Sequence, residues 1–248
     1  MAGFYGKLPG KGDFLTRQLP RQFVDVWDDW LQSGMNAAKQ VLGDEWLQVY
    51  LTSPLWRFVL PSGTCGDSAW AGVMMPSMDK VGRYFPMTVA TELTPPISPV
   101  MVAVSCDAWF ESVENSLLEA LDNEALDIDL FAEELEANKI DGHLVQVPTL
   151  DLAGVDRGVR SPLGDDLNIA GALLGVTLGV LDDSLAASGV WWGRGSERIA
   201  PSLVFSRGLP SPERFPAMLD GRWAEHGWSD SASPLPDLSS DVYAVVDV

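Results

Sequence analysis

Basic side chains, cysteine and histidine are all scarce in this sequence, and each shortage removes a class of function. The 248 residues carry 16 Lys and Arg against 35 Asp and Glu, a formal net charge of −19. Affinity for nucleic acid comes largely from lysine and arginine against phosphate, so a field of this sign repels nucleic acid and anionic membrane surfaces. A basic protein partner fits the field better. Only two cysteines occur, Cys65 and Cys106, too few for a disulfide scaffold, and they read as reduced thiols. The two histidines, His143 and His226, lie far apart and belong to no HxxxH or CxxC spacing, so neither a metal centre nor a cofactor is expected. His226 reads as a surface or capping residue. No apolar run reaches the ~18 residues of a membrane span, and the opening MAGFYGKLPGKGDF lacks the apolar centre of a signal peptide. The expected location is therefore the cytoplasm, without membrane insertion.

What the chain does have is enough apolar residue, 46% of the total with ten Trp, to bury a sizeable core. Trp brings a large apolar body and one N–H that needs a partner. The acidity is concentrated: residues 85–156 hold one basic side chain against fifteen acidic ones, whereas residues 1–84 are balanced at eight of each. A short strand pattern at 3–5 leads into a Gly/Pro-rich loop at 6–13. A helix is expected over 20–42, opening on Pro20 and burying Phe23, Trp27, Trp30 and Leu31 at i, i+4, i+7, i+8. A second, short helix follows near 44–50. Strand patterns cover 55–60, 69–75, 86–92 and 100–104. Helical periodicity returns over 106–121, with Phe110, Val113, Leu117 and Leu121 on the buried stripe and Asp107, Glu111, Glu114 and Glu119 off it. An acidic helix is expected over 129–139, and 140–168 reads as irregular. Strands resume at 171–180, 190–193 and 202–205, before a helix over 212–219.

Strands and helices mix without strict βαβ alternation. The expected fold class is α/β, a single domain with a central mixed β-sheet flanked by helices on both faces. Its boundaries are residues 1–222, followed by a loosely held Ser/Pro/Asp-rich tail over 223–248.

Three chemistries can be weighed on particular residues. The loop 6–13 carries Gly10-Lys11-Gly12 between a strand and a helix, and Lys7, Lys11 and Arg17 could cradle a phosphate. Yet neither GxxxxGK[ST] nor GxGxxG is present, so a small-ligand or nucleotide sensor is the alternative reading rather than the leading one. A hydrolase would centre on Ser77, but there is no GxSxG and too few histidines to furnish a base. Adjacent carboxylates such as Glu133-Glu134 and Asp165-Asp166 are abundant because the chain is acidic, and they read as solvated faces. Asp79 and Arg83 sit four residues apart, a spacing that allows a charge-assisted hydrogen bond. The pair either braces a turn or presents a polar patch to a partner. Trp191 and Trp192, adjacent in a strand, must face opposite sides of the sheet.

These segments together resemble a known family. Gly3-Phe-Tyr-Gly-Lys-Leu-Pro-Gly-Lys-Gly-Asp-Phe14, with Arg17, Leu19-Pro20, Phe23 and Trp27-Asp-Asp-Trp-Leu31, is similar to the N-terminus of the TagF/ImpM proteins. Met75-Pro-Ser-Met-Asp-Lys-Val-Gly-Arg-Tyr-Phe-Pro86 resembles their second block. Val190-Trp-Trp-Gly-Arg-Gly-Ser196 and Phe205-Ser-Arg-Gly-Leu-Pro210 resemble their last. The resemblance implies an α/β accessory protein of bacterial type VI secretion. It implies a post-translational regulator, usually a repressor of assembly, linked to threonine phosphorylation and to a forkhead-associated scaffold protein, with no enzymatic activity. It identifies no interface. The candidate partner-binding residues are Asp13, Arg17, Ser77, Asp79, Arg83, Trp191 and Trp192. The oligomeric state is left open.

Overall fold

The structure, a computed structural model, describes residues 1–93, 99–143 and 188–229. The elements in chain order are β1 (Ala2–Gly6), β2 (Leu15–Arg17), α1 (Arg21–Leu42), α2 (Trp46–Leu51), β3 (Trp56–Leu60), β4 (Ala69–Met75) and β5 (Met87–Leu93). There follow α3 (Pro99–Ser105), α4 (Asp107–Asp122), α5 (Ile128–Ala137), β6 (Ser188–Gly193), β7 (Ser202–Arg207) and α6 (Ala217–Asp220). Among the described residues seven strands make one sheet in the order β2-β1-β5-β4-β3-β6-β7. The α/β single-domain layering matches the sequence pattern. Where a mixed sheet was expected, every described pairing is antiparallel.

Period-2 alternation sorts the strand side chains onto two cores. On the first face, Tyr5, Phe58, Leu60, Trp70, Met74 and Trp191 meet α1, α2 and α6. On the second, Phe4, Val59, Ala71, Val73, Met75 and Val89 meet α4 and α5. Both faces are covered over the central strands, which explains why β3 and β4 read as near-continuous apolar runs. The first face is built on aromatics. Trp27 stands 4.7 Å from Phe58 and 4.8 Å from Trp30, ring centre to ring centre, and Trp30 stands 5.4 Å from Trp191. Their indoles are satisfied: Trp27 Nε1 donates to Thr88 Oγ1 at 3.0 Å and Trp30 Nε1 to the Pro210 carbonyl at 2.7 Å.

Helix α1 follows the expected stripe, with Phe23, Trp27, Trp30 and Leu31 buried and Pro20 as its N-cap. Residues 100–104, expected as a strand, are helical within α3. The five apolar residues 100–104 are too few for periodicity to separate the two states, and Pro99 at the first helical position favours the helix. The expected helix over 212–219 shrinks to the four residues of α6. Strand β2 had no sequence signal beyond three residues. The expected strand at 171–180 lies outside the described residues, as do most of 140–168 and residues 230–248 of the expected tail. Packing continues past residue 222: Trp223 lies against Trp56, and Trp228 against Trp223. His226, read as a surface or capping residue, is buried, with Nε2 2.8 Å from Asp220 Oδ2. Both thiols are buried, and burial pushes Cys65 up to about 12 and Cys106 up to about 11, so neither is a nucleophile at neutral pH.

Candidate functional site

The loop after β1 and the loop between β4 and β5 close on each other. Strand β1 ends at Gly6, with φ 140°, where a Cβ would stand 2.1 Å from the Pro86 carbonyl oxygen. Only glycine lets these two backbones approach so closely. Gly10 is pressed against Glu124 in the same way, its missing Cβ 2.0 Å from that carbonyl oxygen. On the other side, residues 78–84 form a small turn: Asp79 N donates to the Arg83 carbonyl at 3.1 Å and Gly82 N to the Asp79 carbonyl at 3.0 Å. The Lys80 amide donates to the Lys11 carbonyl at 2.9 Å, the Ser77 hydroxyl to the Lys7 carbonyl at 2.7 Å, and Arg83 Nη2 to the Gly12 carbonyl at 2.6 Å. Tyr50 of α2 anchors the base, donating to the Ser77 carbonyl at 2.8 Å and accepting from the Ser77 amide at 2.9 Å.

Asp79 is the hub. Its Oδ1 accepts from the amides of Val81 (3.1 Å) and Arg83 (2.8 Å). Its Oδ2 accepts from Lys7 Nζ (3.0 Å) and Arg83 Nε (2.6 Å). Burial alone would raise its pKa, but the two amides and two cations hold it well below the usual carboxylate range. A carboxyl with a depressed folded pKa stabilises the protein above its unfolded value, near 4, and that stability is lost as pH falls toward the folded pKa. Thermal stability is therefore expected to drop as pH is lowered from about 4, and Asp79→Asn should flatten this acid limb in a melting-temperature-versus-pH series. Asp220, also lowered, contributes to the same limb and sets the slope that survives in the variant.

The buried polar groups of this clasp are spent on the clasp itself. Lys7 is buried and turned inward to Asp79, so it is not free to cradle a phosphate. Ser77 is buried, and its hydroxyl is a structural donor. What faces solvent is the rim. Val81 at the tip of the turn is 69% exposed and Phe14 is 41% exposed. The Arg83 side chain is 56% exposed. Phe14 stacks on Tyr5 at 5.6 Å, meets Phe85 edge-on at 4.9 Å and has Lys7 Nζ 4.7 Å from its ring centre. Tyr5 in turn donates to Asp28 Oδ1 at 2.7 Å. An exposed aromatic ring is thus held in one orientation from below.

Of the residues singled out from sequence, the structure joins Ser77, Asp79 and Arg83 in the clasp, with exposed Asp13 beside Gly12, its Oδ1 accepting from the Phe14 amide at 2.9 Å. Arg17 stands apart on β2, exposed, with a guanidinium nitrogen 3.8 Å from Asp129 Oδ1. Trp191 and Trp192 lie on β6, with three strands between it and β1, and do not contribute. They point to opposite faces as the strand period requires. Trp191 is fully buried, its Nε1 donating to Ser206 Oγ at 3.1 Å, and Trp192 is half-buried with its ring 4.7 Å from Phe110.

Sequence reasoning missed Phe14, Tyr50 and the inward role of Lys7, all long-range contacts with no local signature. It also misplaced Glu114. That residue lies on the buried face of α4, where both of its oxygens accept from Arg57 of β3 at 2.7 Å, and Asp107 accepts a third bond from the same guanidinium. Two signals existed: Arg57 is the only charge in β3, and Glu114 sits four residues after Phe110 and three before Leu117.

Residues 3–137 match the model of the TagF N-terminal domain, a type VI secretion system-associated family. Among solved structures, the chain is similar to PA0076 from Pseudomonas aeruginosa PAO1, at 37% sequence identity and a TM-score of 0.73. That match covers 95% of this chain and 98% of the other. No curated protein matches.

Proposed function

Because the chain belongs to the type VI secretion system-associated TagF family, we propose that it represses assembly of that system by binding one of its protein components, without catalysing a reaction. The observation that carries this reading is the state of the clasp. The groups a reaction would use, the Lys7 ammonium, the Ser77 hydroxyl and the Asp79 carboxylate, are buried and consumed by structural hydrogen bonds. The groups left at the surface, Phe14, Val81 and Arg83, are of the kind that anchor protein interfaces: an aromatic, an aliphatic and an arginine held rigidly before the partner arrives. The acidic remainder of the chain favours encounter with basic surroundings and discourages wrong partners. The family resemblance makes a forkhead-associated scaffold protein the first partner to test, in the cytoplasm where such a complex would form.

The test is capture from lysate of a host carrying the secretion cluster, with wild-type and Val81→Asp/Arg83→Ala baits compared by mass spectrometry. The wild-type bait is expected to enrich the scaffold or another secretion component about tenfold or more over the double variant. The double variant is expected to melt a few °C lower, because Arg83 Nε pairs with buried Asp79 Oδ2, whereas a Val81→Asp bait, altered only at a side chain 69% exposed, should match wild type within about 3 °C and still lose capture. Equal capture by the two baits would remove the clasp as the interface. No secretion component on either bait would remove the repression-by-binding reading.

A further inference from the structure

The two edges of the sheet differ sharply. At one, β2 is three residues long and ends at Arg17, and the positive φ of 59° at the next residue, Gln18, turns the chain away. At the other, β7 runs six residues, Ser-Leu-Val-Phe-Ser-Arg, and pairs only with β6 among the described residues. Edge strands leave every second N–H and C=O free for pairing, and proteins usually blunt them with short length, proline or charge. β7 has neither proline nor charge in its first five residues. It places Leu203, 54% exposed, and Phe205, 44% exposed, on the second face of the sheet. Leu203 lies opposite half-buried Trp192 and Phe205 opposite Val190, so the apolar surface runs across both strands and stops at an open edge.

The opposite side of β7 is locked. Val204 and Ser206 are buried on the first face, and Ser206 Oγ accepts from Trp191 Nε1 and donates to the Gly208 carbonyl at 2.7 Å. A one-residue slip would expose Val204 and bury Leu203, so the register of the edge is specified. Charge adds a second condition. Within residues 188–207 there are three arginines against the single acid Glu197, and although Arg194 is paired with Glu111 of α4 at 3.0 Å, Arg198 and Arg207 leave this stretch net basic in a chain whose net charge is −19. A basic strand arriving here would face like charges, whereas an acidic one would be attracted.

We propose that β7 is a strand-addition site: an extended segment of a partner protein, apolar at alternate positions and flanked by acidic residues, pairs with it as an eighth strand and covers Leu203 and Phe205. Main-chain hydrogen bonds supply the affinity, and the apolar face with its arginine-bearing surroundings supplies the selectivity. This surface is distinct from the clasp, and binding at one does not require the other.

The test is fluorescence anisotropy on the full chain with a labelled heptapeptide, Glu-Val-Thr-Val-Thr-Val-Glu. Saturable binding is expected, weakened about tenfold or more by Leu203→Lys/Phe205→Lys and abolished when the central Val of the peptide is replaced by Pro, which cannot complete the ladder. A Lys-flanked version of the peptide should bind more weakly, and Arg83→Ala in the clasp should leave binding unchanged, which separates this idea from the reading of the clasp. Absence of saturable binding, equal binding of the Pro-interrupted peptide, or binding untouched by L203K/F205K would each overturn the proposal. So would a wild-type dimer in gel filtration that becomes a monomer in L203K/F205K, because the edge would then be occupied by a second copy.

Discussion

Replacing Glu114 with alanine is expected to cost this protein about 3 kcal/mol of unfolding free energy, the low end of what stranding one partner of a buried ion pair costs. Arg57 is 2% exposed and lies between the sheet and α4, with a guanidinium carbon 5.7 Å from the Phe110 ring centre. Burial alone would lower its pKa, but the paired carboxylates of Glu114 and Asp107 more than offset this and raise it. Without Glu114, two of its donors lose their acceptors in a place water does not reach. The loss stays at the low end because Asp107, itself largely exposed, still accepts one bond. Urea titration should show the midpoint falling with the slope unchanged. The paired replacement Arg57→Met/Glu114→Leu should recover most of the loss, since an apolar pair of similar volume avoids desolvating two ions. A single Glu114→Ala variant as stable as wild type would mean that the ion pair does not hold α4 to the sheet.

Trp27→Ala is expected to be the most damaging substitution on the first face, at about 4 kcal/mol. The side chain is fully buried and packs against Phe23, Trp30, Phe58 and Trp191. Its loss leaves a cavity ringed by rigid aromatics that cannot collapse, and it orphans the Thr88 hydroxyl as an acceptor, itself 0% exposed. Trp192→Ala should cost less than half as much, because that ring is only half-buried and retains solvent on one side. Thermal denaturation of the two variants side by side tests the ordering. The reverse ranking would show that the second face, not the aromatic one, carries the larger share of stability.

The contrast between these two residue sets marks the limit of reading along the chain. Phe23, Trp27, Trp30 and Leu31 were legible because a helix repeats every 3.6 residues, and burial on one side leaves a local period. Trp191 and Trp192 were legible to the extent of facing opposite ways, for the same kind of reason in a strand. Residues 100–104 were misread because a five-residue apolar run is too short for either period to show. Glu114 was placed on the wrong side of its helix because a carboxylate on an apolar stripe makes sense only once Arg57, 57 positions away, is known to meet it.

The clasp follows the same rule. Both of its halves stood out from sequence, one by its glycines and the other by Asp79 and Arg83 at a four-residue spacing. That they form one object, with Lys7 folded inward onto Asp79 and Phe14 and Val81 left outside, depends on β1 lying beside β5. Strand order is a long-range choice that local composition does not encode. The amino-acid order by itself therefore determined the fold class, the buried stripe of α1 and the family, because each rests on periodicity, composition or motif. The tertiary structure alone decided which polar groups are consumed and which are presented, because that depends on contacts between residues separated by tens of positions.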